Sequence, residues 1–213
     1  MFRQSRKCRF FYQKDLSPIK YFQSFFDENL EDLIIHQSNL FALQNDINKP
    51  LNLNREELQC WLGIVVYMSL VKIPSTKSYW RKELEQTFVT ELMTRDKWHE
   101  IKKFIHFNDN KKSSKIGSPT YDPISKIRPI FEMIRKKFRL LPLHTIFSVD
   151  EQMIPFKGRS NIKQYVPSKP YKWGYKLFVL CSTDGVMYDM IPYTGKMELD
   201  EECKDLGVSS SVV

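Results

Sequence analysis

One carboxylate and the bases that follow it are the residues best suited to chemistry. Asp150 ends the segment Thr145-Ile146-Phe147-Ser148-Val149-Asp150. That stretch is short, β-branched and aromatic, so it predicts a buried strand with Asp150 at its carboxyl end. Between residues 150 and 176 the bases are Lys157, Arg159, Lys163, Lys169, Lys172 and Lys176, against the acids Asp150 and Glu151. A carboxylate holds a hard cation through oxygen, and neighbouring bases hold a phosphate backbone. Two such cations about 4 Å apart clamp the attacking and leaving oxygens of a phosphodiester. One carboxylate does not make such a site, and by residue type alone a strand-end aspartate more often caps a turn.

Other acids offer little help. Glu151 faces the opposite side of the strand from Asp150, because side chains alternate. Asp184 belongs to a hairpin turn, Thr183-Asp184-Gly185. Asp189 lies on the returning strand, where an aspartate is ordinarily solvated. Asp200, Glu201, Glu202 and Asp205 make an acidic tail. Cys8, Cys60, Cys181 and Cys203 form no C-x-x-C pair and none meets a histidine at zinc spacing, so no zinc site is expected. His36, His99, His106 and His144 are scattered. Trp173, between Lys172 and Gly174, offers either a surface for stacking a base or a side chain packed beneath the hairpin; packing is the preferred reading.

The elements that must position these residues begin with helices. Ser17-Pro18 is a cap with a first-turn proline, and Tyr21, Phe22, Phe25, Phe26, Leu30, Leu33 and Ile34 recur at helical spacing. Asn54 precedes the acids Glu56 and Glu57 of a second helix. Leu58, Trp61, Leu62, Val65 and Val66 make this helix apolar around most of its surface, which predicts a central position. Thr94 caps a third, with Trp98, Ile101, Phe104 and Ile105 as its stripe. Asp109 to Thr120 reads as a surface loop. A fourth helix is expected from Asp122-Pro123, burying Ile124, Ile127, Phe131, Ile134 and Phe138. It carries Arg128, Arg135, Lys136, Lys137 and Arg139. Beyond Asp150, a short extended piece falls within Asn161 to Val166, and strands at Lys176 to Cys181 and Val186 to Tyr193 flank the turn.

Composition narrows the class. A chain of 213 residues with 42% hydrophobic and 27% charged residues fits a folded, soluble protein. A net charge of +8 favours an acidic partner, either nucleic acid or an anionic membrane surface. The longest apolar stretch, Trp61 to Val71, falls short of the ~20 residues that span a bilayer, so no membrane partner is expected. The start, with Arg3, Arg6, Lys7 and Arg9 around Phe10, Phe11 and Tyr12, lacks the apolar run of a signal peptide and is a weak nuclear signal.

Ser148 to Arg159, read as SVDEQMIPFKGR, resembles the signature of the piggyBac transposase family. The likeness continues through Gln164-Tyr165-Val166-Pro167, Lys169-Pro170, Lys172-Trp173-Gly174 and Lys176-Leu177-Phe178. Upstream it includes Pro18 to Phe26, Ile73-Pro74-Ser75, Tyr79-Trp80 and His106 to Asn110, so it runs from about residue 16 to about 196. The resemblance implies an RNase H-like (DDE-type) core whose three aspartates bind magnesium and cut at transposon ends, with integration at TTAA. Asp150 matches the first aspartate. The second and third, an insertion domain and a cysteine-rich zinc module match nothing in this sequence.

The expected fold is therefore α+β: a basic segment over 1–15, a helical dimerisation and DNA-binding region over 16–140, the first three strands of an incomplete RNase H-like mixed sheet over 145–195, and an acidic tail over 196–213. The expected function is that of a truncated, catalytically inactive, nuclear piggyBac-derived protein. It binds DNA through Lys157, Arg159, Lys163, Lys169, Lys172, Arg135 and Lys136. Magnesium, implied at Asp150, is not held productively. A homodimer or a related transposase chain is a further partner. The rival expectations are an endonuclease completed by another chain, a protein-interaction module working through the helical surface, and a remnant without function.

Overall fold

The computed structural model describes residues 16–195, except Glu85 and Ile116. The basic start and the acidic tail expected from the sequence lie outside the described residues. The chain divides into two compact units. One, the helical unit, takes in Phe26–Ser118 and Ser125–Ile130. The other, the strand unit, takes in residues 16–25, Pro119–Ile124 and residues 131–195.

The aromatic stripe expected to make one helix makes two. Helix α1 is Pro18–Phe25 and α2 is Glu28–Asn45. Asp27 separates them: its backbone is extended and its side chain accepts from the Leu30 N–H at 3.1 Å. An N-cap aspartate followed by the first-turn acids Glu28 and Glu31 starts a new helix rather than continuing the old one.

In the helical unit, α3 (Arg55–Leu70) begins with a capping box. Asn54 accepts from the Glu57 N–H at 2.8 Å, and Glu57 reaches back to the Asn54 N–H. Helix α3 is not the fully enclosed element that its composition suggested. Leu58 and Ile64 are buried, but Val66 and Leu70 are exposed, so its apolar residues serve more than one environment. The short α4 (Thr87–Leu92) had no sequence expectation, whereas α5 (Arg95–Phe104) is capped by Thr94 as predicted. The core gathers Leu30 and Ile34 of α2, Leu58 of α3 and Trp98 and Ile101 of α5. Asn39 clamps the α2–α3 connection by accepting from the Leu53 N–H at 2.8 Å and donating to its carbonyl at 3.0 Å.

Helix α6 is Arg128–Phe138, starting later than expected. Asp122 instead accepts from the Ile124 N–H at 3.1 Å, a local turn that holds residues ahead of the helix out of it. Ile124 is buried as predicted, but Ile127 is exposed. In the strand unit, Phe131 of α6 packs on the sheet at Leu177 and Val179.

The sheet contains β1 (Phe147–Pro155), β2 (Gln164–Tyr165), β3 (Trp173–Ser182) and β4 (Met187–Pro192). Strand β3 is central: β1 covers one edge along its full length, while β2 and β4 share the other. All three pairings are antiparallel. The α+β class is as expected, and the short extended piece forms β2. No described helix is long and apolar enough to cross a membrane.

Gly174 sets how closely β1 and β3 approach. A Cβ there would run into the Ile154 carbonyl oxygen and lie 2.8 Å from its carbon, and both atoms are backbone. Gly174→Ala is expected to destabilise the strand unit by about 1–3 kcal/mol, the usual cost of overpacking. Urea unfolding followed by β-sheet circular dichroism checks this, and an unchanged midpoint would contradict it.

Candidate nucleic-acid interface around Asp150

Alternation along β1 decides what its two acids do. Asp150 sits mid-strand opposite Val179, not at the carboxyl end, because β1 runs on to Pro155. Nor is it buried: its side chain is 82% exposed. One carboxylate oxygen accepts from the Glu151 N–H at 2.7 Å and lies 3.8 Å from the Lys169 ammonium. Glu151 turns to the other face, as predicted, and forms a close ion pair with Lys176. The Lys176 ammonium also lies 4.6 Å from the ring centre of buried Phe178.

The segment joining β1 to β3 carries the bases. Lys169 is presented by a turn in which Val166 N–H donates to the Lys172 carbonyl at 2.8 Å. Lys163 donates to the Gly158 carbonyl at 2.8 Å, and its ammonium lies 5.0 Å from the ring centre of Trp173. Lys157, Arg159 and Lys172 are exposed and, among the described residues, make no ion pair with a carboxylate. Gly158 permits this turn. A Cβ there would lie 2.5 Å from the ring of Phe156, which itself stacks on Tyr175 with centres 4.8 Å apart. Trp173, expected to pack beneath the hairpin, is instead 53% exposed.

Asp189 also departs from expectation. Its side chain is only 20% exposed and receives two guanidinium groups. Arg135 donates through Nε at 2.7 Å and Nη2 at 3.0 Å, and Arg139 through Nη2 at 2.7 Å. Burial pushes the Asp189 carboxyl upward. The hydrogen bonds from Arg135, Arg139 and the Met190 N–H, with the charge of Arg135, outweigh it and hold the group below the usual carboxylate range. Arg135, grouped by sequence with the candidate phosphate contacts, is thus braced by Asp189 and by Glu132 at 3.1 Å. Lys136, the next residue, is exposed. Phe131, Arg135 and Arg139 share one helix face four residues apart, but that spacing does not name the carboxylate the arginines meet.

Magnesium finds no set of ligands here. Among the described residues, no three His, Cys, Asp or Glu side chains form a group that could hold a metal ion. Asp150 supplies one carboxylate, Glu151 points away, and Asp189 is engaged by two arginines. These residues by themselves do not fit a magnesium site.

The class follows from a comparison across the chain: a family model described as Transposase IS4 matches residues 17–213. Within that class, the chain belongs to the piggyBac-type transposase family. It is similar to PiggyBac transposable element-derived protein 3 of Homo sapiens, with 30% identity over 200 residues, covering 92% of this chain and 32% of that protein. PiggyBac transposable element-derived protein 2 of Homo sapiens is 28% identical over 187 residues, covering 86% and 30%. A cryo-EM structure of a piggyBac transposase synaptic complex with hairpin DNA shares the fold at a TM-score of 0.77 and 23% identity, covering 92% of this chain and 42% of that one. The chain therefore spans about a third of the length of these curated relatives.

The Asp189 brace has a pH signature. A depressed carboxyl contributes stability that is present above its unfolded value of about 3.9 and lost as pH falls through the folded value. Asp189→Asn is expected to cost about 1.5–3 kcal/mol near neutral pH, the worth of hydrogen bonds to a charged group. The gap between wild type and variant should begin to close only below about pH 4 and vanish below the folded value. Urea melts at several pH values check this, and a gap of constant size would show that charge is not what holds α6 to β4.

Proposed function

We propose that this chain binds DNA through the exposed turn between β1 and β3, and that these 213 residues alone do not cut it. The carrying observation is the segment from Lys157 to Lys172, which holds Lys157, Arg159, Lys163, Lys169 and Lys172 and no acid. Three of those bases stand exposed without a carboxylate partner among the described residues. Unneutralised bases on one turn suit a phosphate backbone, and displaced counterions drive such binding. Lys136 adds a solvent-facing charge on α6. The solved relative in complex with hairpin DNA supports DNA as the partner, and a DNA partner suits a nuclear location. The reading of binding without cutting rests on Asp150, which brings a single carboxylate to this surface while Glu151 and Asp189 are committed elsewhere.

Affinity for duplex DNA should fall steeply as salt rises from about 50 to about 200 mM. Replacing Lys157, Arg159 and Lys172 together by alanine should weaken binding to every sequence and flatten the log–log salt slope by about 0.9 per lost phosphate contact. Fluorescence anisotropy across a salt series measures both, and failure to bind at low salt would overturn the proposal in favour of a protein-interaction role.

Incubation with a labelled piggyBac-type end in magnesium or manganese should leave the DNA intact. Metal-dependent nicking that disappears in Asp150→Ala would show instead that the missing ligands come from another copy of the chain.

A further inference from the structure

We propose that Trp173 and Tyr165 form a stacking platform for unpaired DNA bases, on the same sheet face as Asp150. The inference rests on the DNA-binding reading above and names the form of DNA that the surface prefers.

The register places the platform. Tyr165 of β2 is directly opposite Trp173 of β3, and their ring centres are 4.7 Å apart. Directly opposed residues share a sheet face, and alternate residues along a strand return to it. Trp173 lies six residues from Val179, which is opposite Asp150 in a register without a shift. Tyr165, Trp173 and Asp150 therefore project from one face, with roughly 20 Å of strand between Trp173 and the level of Asp150.

Large aromatics at such a position are ordinarily buried, and these are not. Trp173 is 53% exposed and Tyr165 48%. The neighbouring Phe156 and Tyr175 rings stack on each other and are half-buried. The charges around the platform select the occupant. Lys163 lies over the Trp173 ring, and the Gly158 carbonyl that it also contacts ties the ring to the turn bearing Lys157 and Arg159. An aromatic surface framed by unneutralised bases matches a strand whose phosphates meet cations while its bases stack. In a duplex the bases already stack on one another, so the platform gains only from bases that are unpaired.

The test compares the full chain on three DNA probes of equal length: duplex, duplex with a short single-stranded overhang, and single strand. One stacked base is worth about 1–3 kcal/mol by alanine substitution, which converts to roughly 5- to 150-fold. The wild type should bind the overhang and the single strand at least about fivefold more tightly than Trp173→Leu does, while the two bind duplex alike. Trp173→Tyr, which keeps a π-face, should retain most of the preference. Thermal melts confirm that each variant is folded. If Trp173→Leu matches wild type on the overhang, or loses duplex and overhang binding equally, the platform is overturned while salt-dependent duplex binding still supports the broader reading. If the wild type binds none of the probes at low salt, both readings fall. Tighter binding to single-stranded RNA of the same sequence would overturn DNA as the occupant.

Discussion

The pairing of β1 with β3 is the constraint on which the candidate surface depends. Nine consecutive pairs run from Phe147 opposite Ser182 to Pro155 opposite Gly174, without a bulge. Because the side-chain period is two, a slip of one residue would exchange the faces of the whole strand. Asp150 would then turn to the side now occupied by Glu151, and Glu151 would lose Lys176. Gly174 helps hold the register at one end, since no other residue type lets β3 come so close to the Ile154 carbonyl. At the other end, Tyr188 is buried edge-on against Phe147, with ring centres 5.0 Å apart, and its hydroxyl donates to the Pro142 carbonyl. The register is thus fixed by backbone contact at one end and by aromatic packing at the other.

Net charge alone does not say which bases are available to a phosphate. Part of the positive charge is already engaged. In the helical unit Arg55 faces Glu28, Glu31 and Asp32, and Lys97 faces Glu57 and Glu100. On α6, Arg135 and Arg139 serve Asp189. A guanidinium held by two carboxylate oxygens is costly to redirect, because the carboxylate would be left partly buried and unpaired. Among the described residues, exposed bases without an ion pair also stand elsewhere, among them Lys72, Lys77, Lys102 and Lys103. What sets the β1–β3 turn apart, more than the overall +8, is that five bases follow one another from Lys157 to Lys172 with no acid between them.

Local signals were legible in the sequence where one residue type settles a backbone choice. Asn54 and Thr94 cap their helices, the Thr183-Asp184-Gly185 turn joins β3 to β4, and Glu151 opposes Asp150. The break at Asp27 carried the same kind of signal, but the aromatic stripe running across it suggested one continuous helix. Features set by tertiary partners were not legible. The half-burial of Asp189 depends on a helix face some fifty residues earlier in the chain, and strand periodicity says nothing about that. The apolar circumference of α3 predicts burial on average, yet it cannot say which of Leu58, Ile64, Val66 and Leu70 meets the core. The exposure of Trp173 was not legible either, since strand spacing does not say which rings stack on each other, as Phe156 and Tyr175 do, and which stay at the surface.

Binding and cutting make different demands on such a chain. The candidate DNA surface is local: its strands, its turn and its aromatic pair all fall between Phe147 and Ser182, with β4 as the further strand laddered to β3. Such a surface needs the β1–β3 register, the β4 ladder and the packing of α6 to persist. Metal-assisted chemistry is not local. It needs several carboxylates converging on one point, and within this stretch alternation drives the two nearest acids apart. An edit that leaves this segment folded can therefore remove cutting and spare binding, whereas few edits could do the reverse. The same asymmetry explains why Asp150 can stand exposed beside Lys169: a lone carboxylate with an ammonium nearby is stable in water, and it disturbs neither the sheet nor the basic turn.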